Sequence, residues 1–266
     1  AGDREWKVAY HPYPPGWSLP DFGPKDLPLV TFGNIGVLVG YLMARFPDHP
    51  HAWEVLLTEQ GINSGTGSSE EKQNKAICDA YRNVLGTPGV TTFIYYRLQD
   101  FGAIENGSAM GLIREDGSLK PSWYTWSMMN RIDLSPPQLA CGFEDLPYVV
   151  IRRGNGGFDG HWASTRKLPE GFVLEGKGWK ILREEAPGTR MLFECAKSKH
   201  NFLSLDVNCG GQQPMGPVGW IWTSQEAGTV PFFACSTRFG DNFVSTDSNC
   251  EGKTKDGLLG YVLPVE

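Results

Sequence analysis

The stretch FECAKSKHNFLSLDVNCGGQQPMGPVGW, residues 193–220, recurs as FACSTRFGDNFVSTDSNCEGKTKDGLLGY at residues 233–261. The offset is 40 residues at first and 41 after a one-residue insertion, and so many matches at one spacing indicate a structural repeat. A weaker third copy precedes these two, beginning at His161 and ending near Trp179. Three copies with short alternating strands and Gly, Asn or Asp turns predict a threefold β-trefoil-like domain over residues 148–266.

Cysteines occupy equivalent positions in the two strong copies. Cys195 and Cys209 in one copy correspond to Cys235 and Cys250 in the next. Because equivalent pairs imply equivalent bonds, we predict the disulfides Cys195–Cys209 and Cys235–Cys250. Each closes a loop whose chain entropy is worth about 3 kcal/mol.

The remaining cysteines, Cys78 and Cys141, leave two alternatives open, a disulfide or a buried free thiol. A metal site is not expected, because no Cys-x2-Cys knuckle occurs. Disulfides indicate a secreted or extracellular protein, with a lumenal or lysosomal setting as the alternative. The glycosylation sequon at Asn106 fits that setting.

Residues 1–132 show a different pattern, in which short apolar strands alternate with amphipathic helices. The strands are predicted near 6–10, 53–58 and 90–96, and the helices near 34–46, 68–85 and 121–129. A capping box from Ser68 to Glu71 begins the second helix, and Gly86 ends it. This order predicts a parallel sheet. Residues 133–147, which contain Ser135-Pro136-Pro137, are predicted to be a linker.

Four motifs in this region carry a family resemblance. They are His11-Pro12-Tyr13-Pro14, residues 30–35, Leu57-Thr58-Glu59-Gln60-Gly61, and Tyr96-Arg97. In this order they resemble the C-terminal half of a bacterial glycosidase-like barrel family that lacks an assigned function and is similar to retaining glycoside hydrolases.

The resemblance covers residues 6–130 and implies a fold class. It implies a partial (β/α) barrel, namely the last three βα units of a TIM-type barrel. Together with the repeats, this predicts an α/β plus all-β fold class in which the β-trefoil-like domain follows the barrel portion. A TIM-type barrel closes only with eight strands. The other half is therefore expected in missing sequence or on a second polypeptide.

The resemblance makes Glu59 the catalytic nucleophile, because the clan's nucleophile ends the seventh strand. Independently, a carboxylate directly after the apolar run 55–57 is hard to explain as a surface charge, although a turn carboxylate is the alternative. A retaining mechanism needs a second carboxyl group about 5–5.5 Å away. Asp100 and Glu105 are the nearest carboxylates in sequence, and neither matches the clan's acid/base position.

The predicted substrate-binding residues follow the same strand ends and are His11, Tyr13, Gln60, Asn63, Tyr96 and Arg97. His11 could hold the nucleophile by a hydrogen bond, or be a structural histidine. Arg97 could anchor the nucleophile or pair with Asp100, and a pair would lower the carboxylate pKa.

Repeat positions give a second set of sugar-binding candidates, namely Asn201, Asp206, Asn242 and Asp247. Their acids and amides could bond vicinal hydroxyls, but the alternative is that they form turns. The repeats lack the Gln-x-Trp signature of ricin-type lectins.

Composition limits the partners. The net charge of -6 argues against nucleic acid, which requires a basic face. No apolar run of about 18 residues exists to span a membrane, and no cofactor is expected. Aromatic residues at 12% suit a carbohydrate partner, with core packing as the alternative. The sequence therefore predicts a retaining glycoside hydrolase; the alternatives are a non-catalytic, lectin-like carbohydrate-binding protein on a degenerate barrel and an extracellular structural protein.

Overall fold

A computed structural model describes residues 5–15, 20–102, 107–129, 141 and 147–265. Glu105, Asn106 and most of the predicted linker lie outside these residues. Among the residues described, no helix is long and apolar enough to cross a membrane.

Among the residues that the structure describes, the first part of the chain has three strands and three α-helices. In chain order these are β1 (Val8–Tyr10), α1 (Gly36–Arg45), β2 (Val55–Gln60), α2 (Glu70–Leu85), β3 (Val90–Tyr95) and α3 (Pro121–Met128). The strands form a parallel sheet with β2 in the centre. Buried apolar side chains of β2 and α2, such as Leu57 and Ile77, share one core.

Helix α2 shows how local sequence sets the element boundaries. Ser69 is its N-cap and accepts a hydrogen bond from the backbone N–H of Lys72 at 3.2 Å. The capping residue is therefore one position later than the predicted Ser68. Glu70 and Glu71 lie in the first turn, where carboxylates favour the positive end of the helix dipole.

The second part contains nine strands, whose described pairings are all antiparallel. They are β4 (Tyr148–Asn155), β5 (His161–Ser164), β6 (Val173–Leu182), β7 (Thr189–Lys197), β8 (His200–Ser204), β9 (Gln213–Trp222), β10 (Val230–Ser236), β11 (Asn242–Ser245) and β12 (Thr254–Pro264). Each sequence repeat supplies one triple, in which the first strand pairs with both the second and the third. Buried apolar residues from all three triples form a common core.

The predicted fold class is wrong. Strand accounts for 36% of the chain and helix for 22%. The parallel sheet has three strands in the order β1-β2-β3, and the described residues show no (β/α) barrel. The repeats join one nine-stranded sheet in which β6, β9 and β12 pair with one another, and a β-trefoil is not shown. Local patterns specified strands and repeat equivalence, but not how strands associate over long distances. A second polypeptide was expected in order to complete the barrel. Because no such barrel is present among the described residues, the second polypeptide is unsupported.

The two parts of the chain meet at a close backbone contact between α1 and β9. A Cβ atom on Gly216 would lie 1.8 Å from the carbonyl oxygen of Gly36, and Gly216 has φ +97°. Only glycine fits such a position without strain. Phe193 of β7 packs in the same core as Leu57 of β2, so the two parts share apolar packing.

A buried charged network lies behind this contact. Glu194 accepts hydrogen bonds from Arg166 Nη2 (2.5 Å), Ser164 Oγ (2.6 Å), Trp162 Nε1 (2.8 Å) and Asn201 Nδ2 (2.8 Å). All five residues are buried. Four donors around one carboxylate satisfy a charge that would otherwise be costly to bury.

Three disulfides are present. Cys195 bonds Cys209 and Cys235 bonds Cys250, which are the two pairs expected from the repeat. The third bond joins Cys78 of α2 to Cys141, the pair that the sequence left open. Three disulfides are consistent with an extracellular or secreted protein.

Candidate functional site

The carboxyl ends of the parallel strands bring together part of the predicted site. Glu59 lies near the end of β2 and is exposed. Tyr13, which follows β1, donates a hydrogen bond from its hydroxyl to Glu59 Oε1 at 3.0 Å. Parallel strands present their carboxyl ends at the same edge of a sheet, which explains how residues 46 positions apart meet.

The environment of Tyr13 keeps its hydroxyl protonated. Partial burial raises the pKa of Tyr13, and the hydrogen bond to Glu59 raises it further. The negative charge of Glu59 and the nearby Tyr96 act in the same direction. Tyr13 is therefore a hydrogen-bond donor to the carboxylate throughout the neutral pH range.

His11 lies beside this pair but contacts a different residue. Its Nε2 is 3.1 Å from the hydroxyl of Thr58, the residue before Glu59. This contact matches the structural alternative for His11 better than a direct hold on Glu59.

Gln60 and Asn63 are buried and bond to the backbone. The amide Nε2 of Gln60 donates to the carbonyl oxygen of Ile94. Asn63 Oδ1 accepts hydrogen bonds from the N–H groups of Gly65 at 2.7 Å and Ala109 at 2.8 Å. Gln60 thus ties β2 to β3, and Asn63 holds the loop after β2, whereas their contact with sugar hydroxyls stays a prediction.

Tyr96 and Arg97 follow β3 at the same end of the sheet. The Arg97 guanidinium lies 5.6 Å from the Tyr96 ring centroid and 5.8 Å from that of Phe101, within range of cation–π attraction. Tyr96 is partly exposed and contributes to the raised pKa of Tyr13. Tyr96 is therefore the predicted residue after β3 that lies near the Tyr13–Glu59 pair.

Asp100 forms an ion pair with Lys120, a residue that the sequence analysis missed. Lys120 Nζ lies 2.7 Å from Asp100 Oδ2 and donates to Ser64 Oγ at 2.8 Å. The Lys120 side chain is 1% exposed. A lysine directly before a helix carries no sequence signal for such a role. Its partners precede it by 20 and 56 residues.

The two acidic residues of the repeats that were predicted to bind sugar form hydrogen bonds within their own turns. Asp206 accepts from the N–H groups of Asn208 (2.9 Å) and Gly210 (2.8 Å), and Asp247 makes the equivalent contacts one repeat later. These backbone hydrogen bonds lower the pKa of both carboxyls. These contacts are the ones expected from the alternative in which Asp206 and Asp247 form turns.

The two asparagines of that set are also engaged. Asn201 is buried, with its amide on Glu194 and on the backbone of Ala163. Asn242 Oδ1 lies 3.4 Å from Lys197 Nζ on a neighbouring hairpin.

Comparison with known proteins adds a family. Among solved structures, the chain is similar to a family 39 glycoside hydrolase from the gut symbiont Bacteroides cellulosilyticus WH2, with 16% identity and a TM-score of 0.39. That match covers 79% of this chain and 42% of the other. A TM-score this low does not establish a shared fold. No curated protein matches the chain. Residues 1–136 match the model of a family of unknown function (DUF5722). The match spans just over half of the 266 residues, and the chain therefore belongs to this family.

Proposed function

We propose that the chain acts on carbohydrate, with Glu59 as the nucleophile of a retaining glycoside hydrolase. The observation that carries the proposal is the 3.0 Å hydrogen bond from the Tyr13 hydroxyl to Glu59 Oε1 at the carboxyl end of a parallel sheet. A carboxylate held through one oxygen keeps the other for attack on an anomeric carbon. The resemblance of the motif around Glu59 to the retaining clan supports the same role.

The proposed first step forms a bond between Glu59 and the anomeric carbon and breaks the glycosidic C–O bond. The departing oxygen takes a proton from an acid when the leaving group is an ordinary sugar hydroxyl. Asp100 is committed to Lys120 in a buried ion pair, which argues against it as that acid. A substrate whose leaving group departs as a stable anion therefore isolates the step assigned to Glu59.

The test uses 2,4-dinitrophenyl 2-deoxy-2-fluoroglycosides with gluco, galacto, manno and xylo configurations. Dinitrophenolate leaves without protonation, and the fluorine slows release of the glycosyl-enzyme. We expect one dinitrophenolate per chain and an adduct of one sugar, by intact mass, on the peptide that contains Glu59. The Glu59→Gln variant should give neither. Tyr13→Phe should label about fivefold more slowly, because the hydroxyl positions Glu59 for attack and a typical hydrogen bond is worth about 1 kcal/mol.

Glu54→Gln is the matched control. Glu54 precedes the same strand β2 and pairs with Lys7 at 2.5 Å, so this variant should label like the parent chain. An adduct on another residue, or none with any of the four sugars, would refute the nucleophile.

A non-catalytic carbohydrate-binding protein is the second candidate, and the engagement of Asp100 by Lys120 favours it. In that case the chain would bind glycans and no covalent adduct would form on Glu59. The labelling experiment separates the two functions directly.

A further inference from the structure

Three hairpin turns, one from each repeat, meet at one end of the large sheet. They lie between the last paired residues of each hairpin, at 155–161, 197–200 and 236–242. Gly160 of the first turn lies against both of the others, because a Cβ atom on it would be 2.4 Å from Asp241 Oδ1 and 3.2 Å from His200 Cβ. We call these three turns the hairpin end.

Polar contacts fix the turns against one another. Lys199 Nζ of the second turn donates to Asp159 Oδ1 of the first at 2.9 Å. Asp241 Oδ1 of the third turn accepts from the backbone N–H of His161 at 2.9 Å. The tips of the three hairpins therefore lie side by side.

Exposed apolar side chains are concentrated at the hairpin end. Phe158 directly precedes the contact residue of the first turn, and Phe239 lies two residues before that of the third. They are 109% and 83% exposed. Val173 and Leu174, which begin β6 beside the first turn, are each more than half exposed. Among the described residues 147–265, Leu258 is the one other large apolar residue that is exposed. Such a concentration indicates a binding surface.

The shape of this surface favours a fluid partner. The Phe158 side chain is surrounded by solvent on every side, so the protein forms no pocket around its ring. A rigid partner would cover such a ring on one face only. Lipid headgroups and acyl chains can close around the whole ring, and aromatic residues are among those that proteins insert at the membrane interface.

The charge of the hairpin end selects the lipid. Its three turns contain three cationic and two acidic side chains, a net charge of 3 − 2 = +1, namely Lys197, Lys199 and Arg238 against Asp159 and Asp241. The adjacent strand ends carry three charges of each sign, which cancel: Arg153, Lys253 and Lys255 against Glu175, Glu251 and Asp256. The whole chain has a net charge of -6, so this end differs in sign from the rest. Cations near a bilayer surface are attracted by anionic headgroups.

We propose that the hairpin end docks the protein onto an anionic phospholipid bilayer. Phe158 and Phe239 insert among the headgroups, and Arg238, whose guanidinium lies 4.6 Å from the Phe239 ring centroid, contacts the lipid phosphates beside the inserted ring. The docking goes beyond the proposed chemistry of Glu59, because it requires no reaction and uses the other part of the chain.

The experiment is co-sedimentation of the full chain with two kinds of vesicle. One contains phosphatidylcholine and phosphatidylglycerol in equal parts, and the other contains phosphatidylcholine alone. We expect binding to the mixed vesicles and about fivefold weaker binding to phosphatidylcholine. Arg238→Gln should weaken binding to the mixed vesicles about fivefold and leave binding to phosphatidylcholine unchanged.

Variants of the two rings test the insertion. Phe158→Ala/Phe239→Ala should bind at least about tenfold more weakly, because two apolar side chains are lost from the lipid. Phe158→Leu/Phe239→Leu should keep most of the binding, since leucine enters lipid but does not stack on a sugar ring. Both rings are exposed, so these variants should fold normally, which circular dichroism checks. Tyr41→Ala, which removes an exposed aromatic on α1, is the matched control and should bind like the parent chain.

Four results would overturn the proposal. These are no binding to either vesicle, equal binding to both, unchanged binding of the alanine double variant, and ring-dependent retention on cellulose or xylan that the leucine double variant loses. The last result would assign the rings to a glycan. The two proposals fail independently, because Glu59→Gln should bind vesicles normally and Phe158→Ala/Phe239→Ala should label normally with the fluoroglycosides.

Discussion

Replacement of Glu194 by glutamine should strongly destabilise the protein. Glu194 and Arg166 are 1% and 2% exposed, and their charged atoms are 2.5 Å apart. Glutamine keeps the volume but removes the charge, so the Arg166 guanidinium stays buried without a counterion. Breaking a buried ion pair in this way costs about 3–5 kcal/mol. The total free energy of unfolding is typically about 5–15 kcal/mol, so a large share of the stability would be lost.

Equilibrium unfolding in urea, with the disulfides intact, measures this loss. Trp162 donates to Glu194, so tryptophan fluorescence includes a local reporter. The melting temperature should fall by about 6–20 °C, from about 2–4 °C per kcal/mol. Asp159→Asn is the control, because its partner Lys199 is 70% exposed and such surface pairs contribute about 0–1 kcal/mol. A loss for Glu194→Gln no larger than for Asp159→Asn would refute the reasoning.

Three further predictions concern the fold. Replacing Cys235 and Cys250 by alanine should cost about 3 kcal/mol in urea unfolding, from the entropy of a 15-residue loop; an unchanged midpoint would contradict this. Gly216→Ala should prevent the close contact of α1 with β9 and lower the yield of folded protein on gel filtration, whereas a normal yield and melting temperature would show that the backbones can separate. Asp206 and Asp247 have lowered pKa values, so each stabilises the fold above the unfolded value near 3.8, and that contribution is lost as pH falls through the folded value. Changing both to asparagine should therefore flatten the acid side of a plot of unfolding free energy against pH, and curves that stay parallel would contradict the assignment.

The parts of the fold that sequence predicted are those encoded locally. The repeat of residues 193–220 at 233–261 marks equivalent strands, and those strands form equivalent triples. The strands around Val55 and Val90 and the helix that ends at Gly86 also follow from short apolar patterns and caps. Barrel closure and the joining of triples depend on pairing between distant strands, for which a single sequence contains no comparable signal.

The candidate site shows the same division. The apolar run before Glu59 correctly marked the end of a strand. Side-chain partners were harder to predict, because they depend on how loops return. Lys120, rather than Arg97, forms the ion pair with Asp100. His11 lies beside Thr58. The function of these residues stays a prediction until the labelling experiment is done.

The weak third copy of the repeat has a physical explanation in its turn. In every copy, a serine hydroxyl accepts a hydrogen bond from the N–H two residues later. In two copies that later residue is Asp206 or Asp247, which closes its own turn beside a disulfide. In the first copy the residue is Arg166, and no cysteine is present. The turn backbone is thus preserved while the side chain takes a new partner.

The new partner joins the two parts of the chain. Arg166 reaches Glu194 and also donates to Thr87 Oγ1 at 3.3 Å, in the segment after α2. Next to it, Thr165 Oγ1 donates to the carbonyl oxygen of Gly86 at 2.7 Å. The second copy also contacts the first part of the chain, through Gly216, Phe193 and Val207 in its own disulfide-closed turn. The copy that departs most from the repeat therefore adds polar contacts to the segment after α2, beside the apolar contacts that the second copy makes.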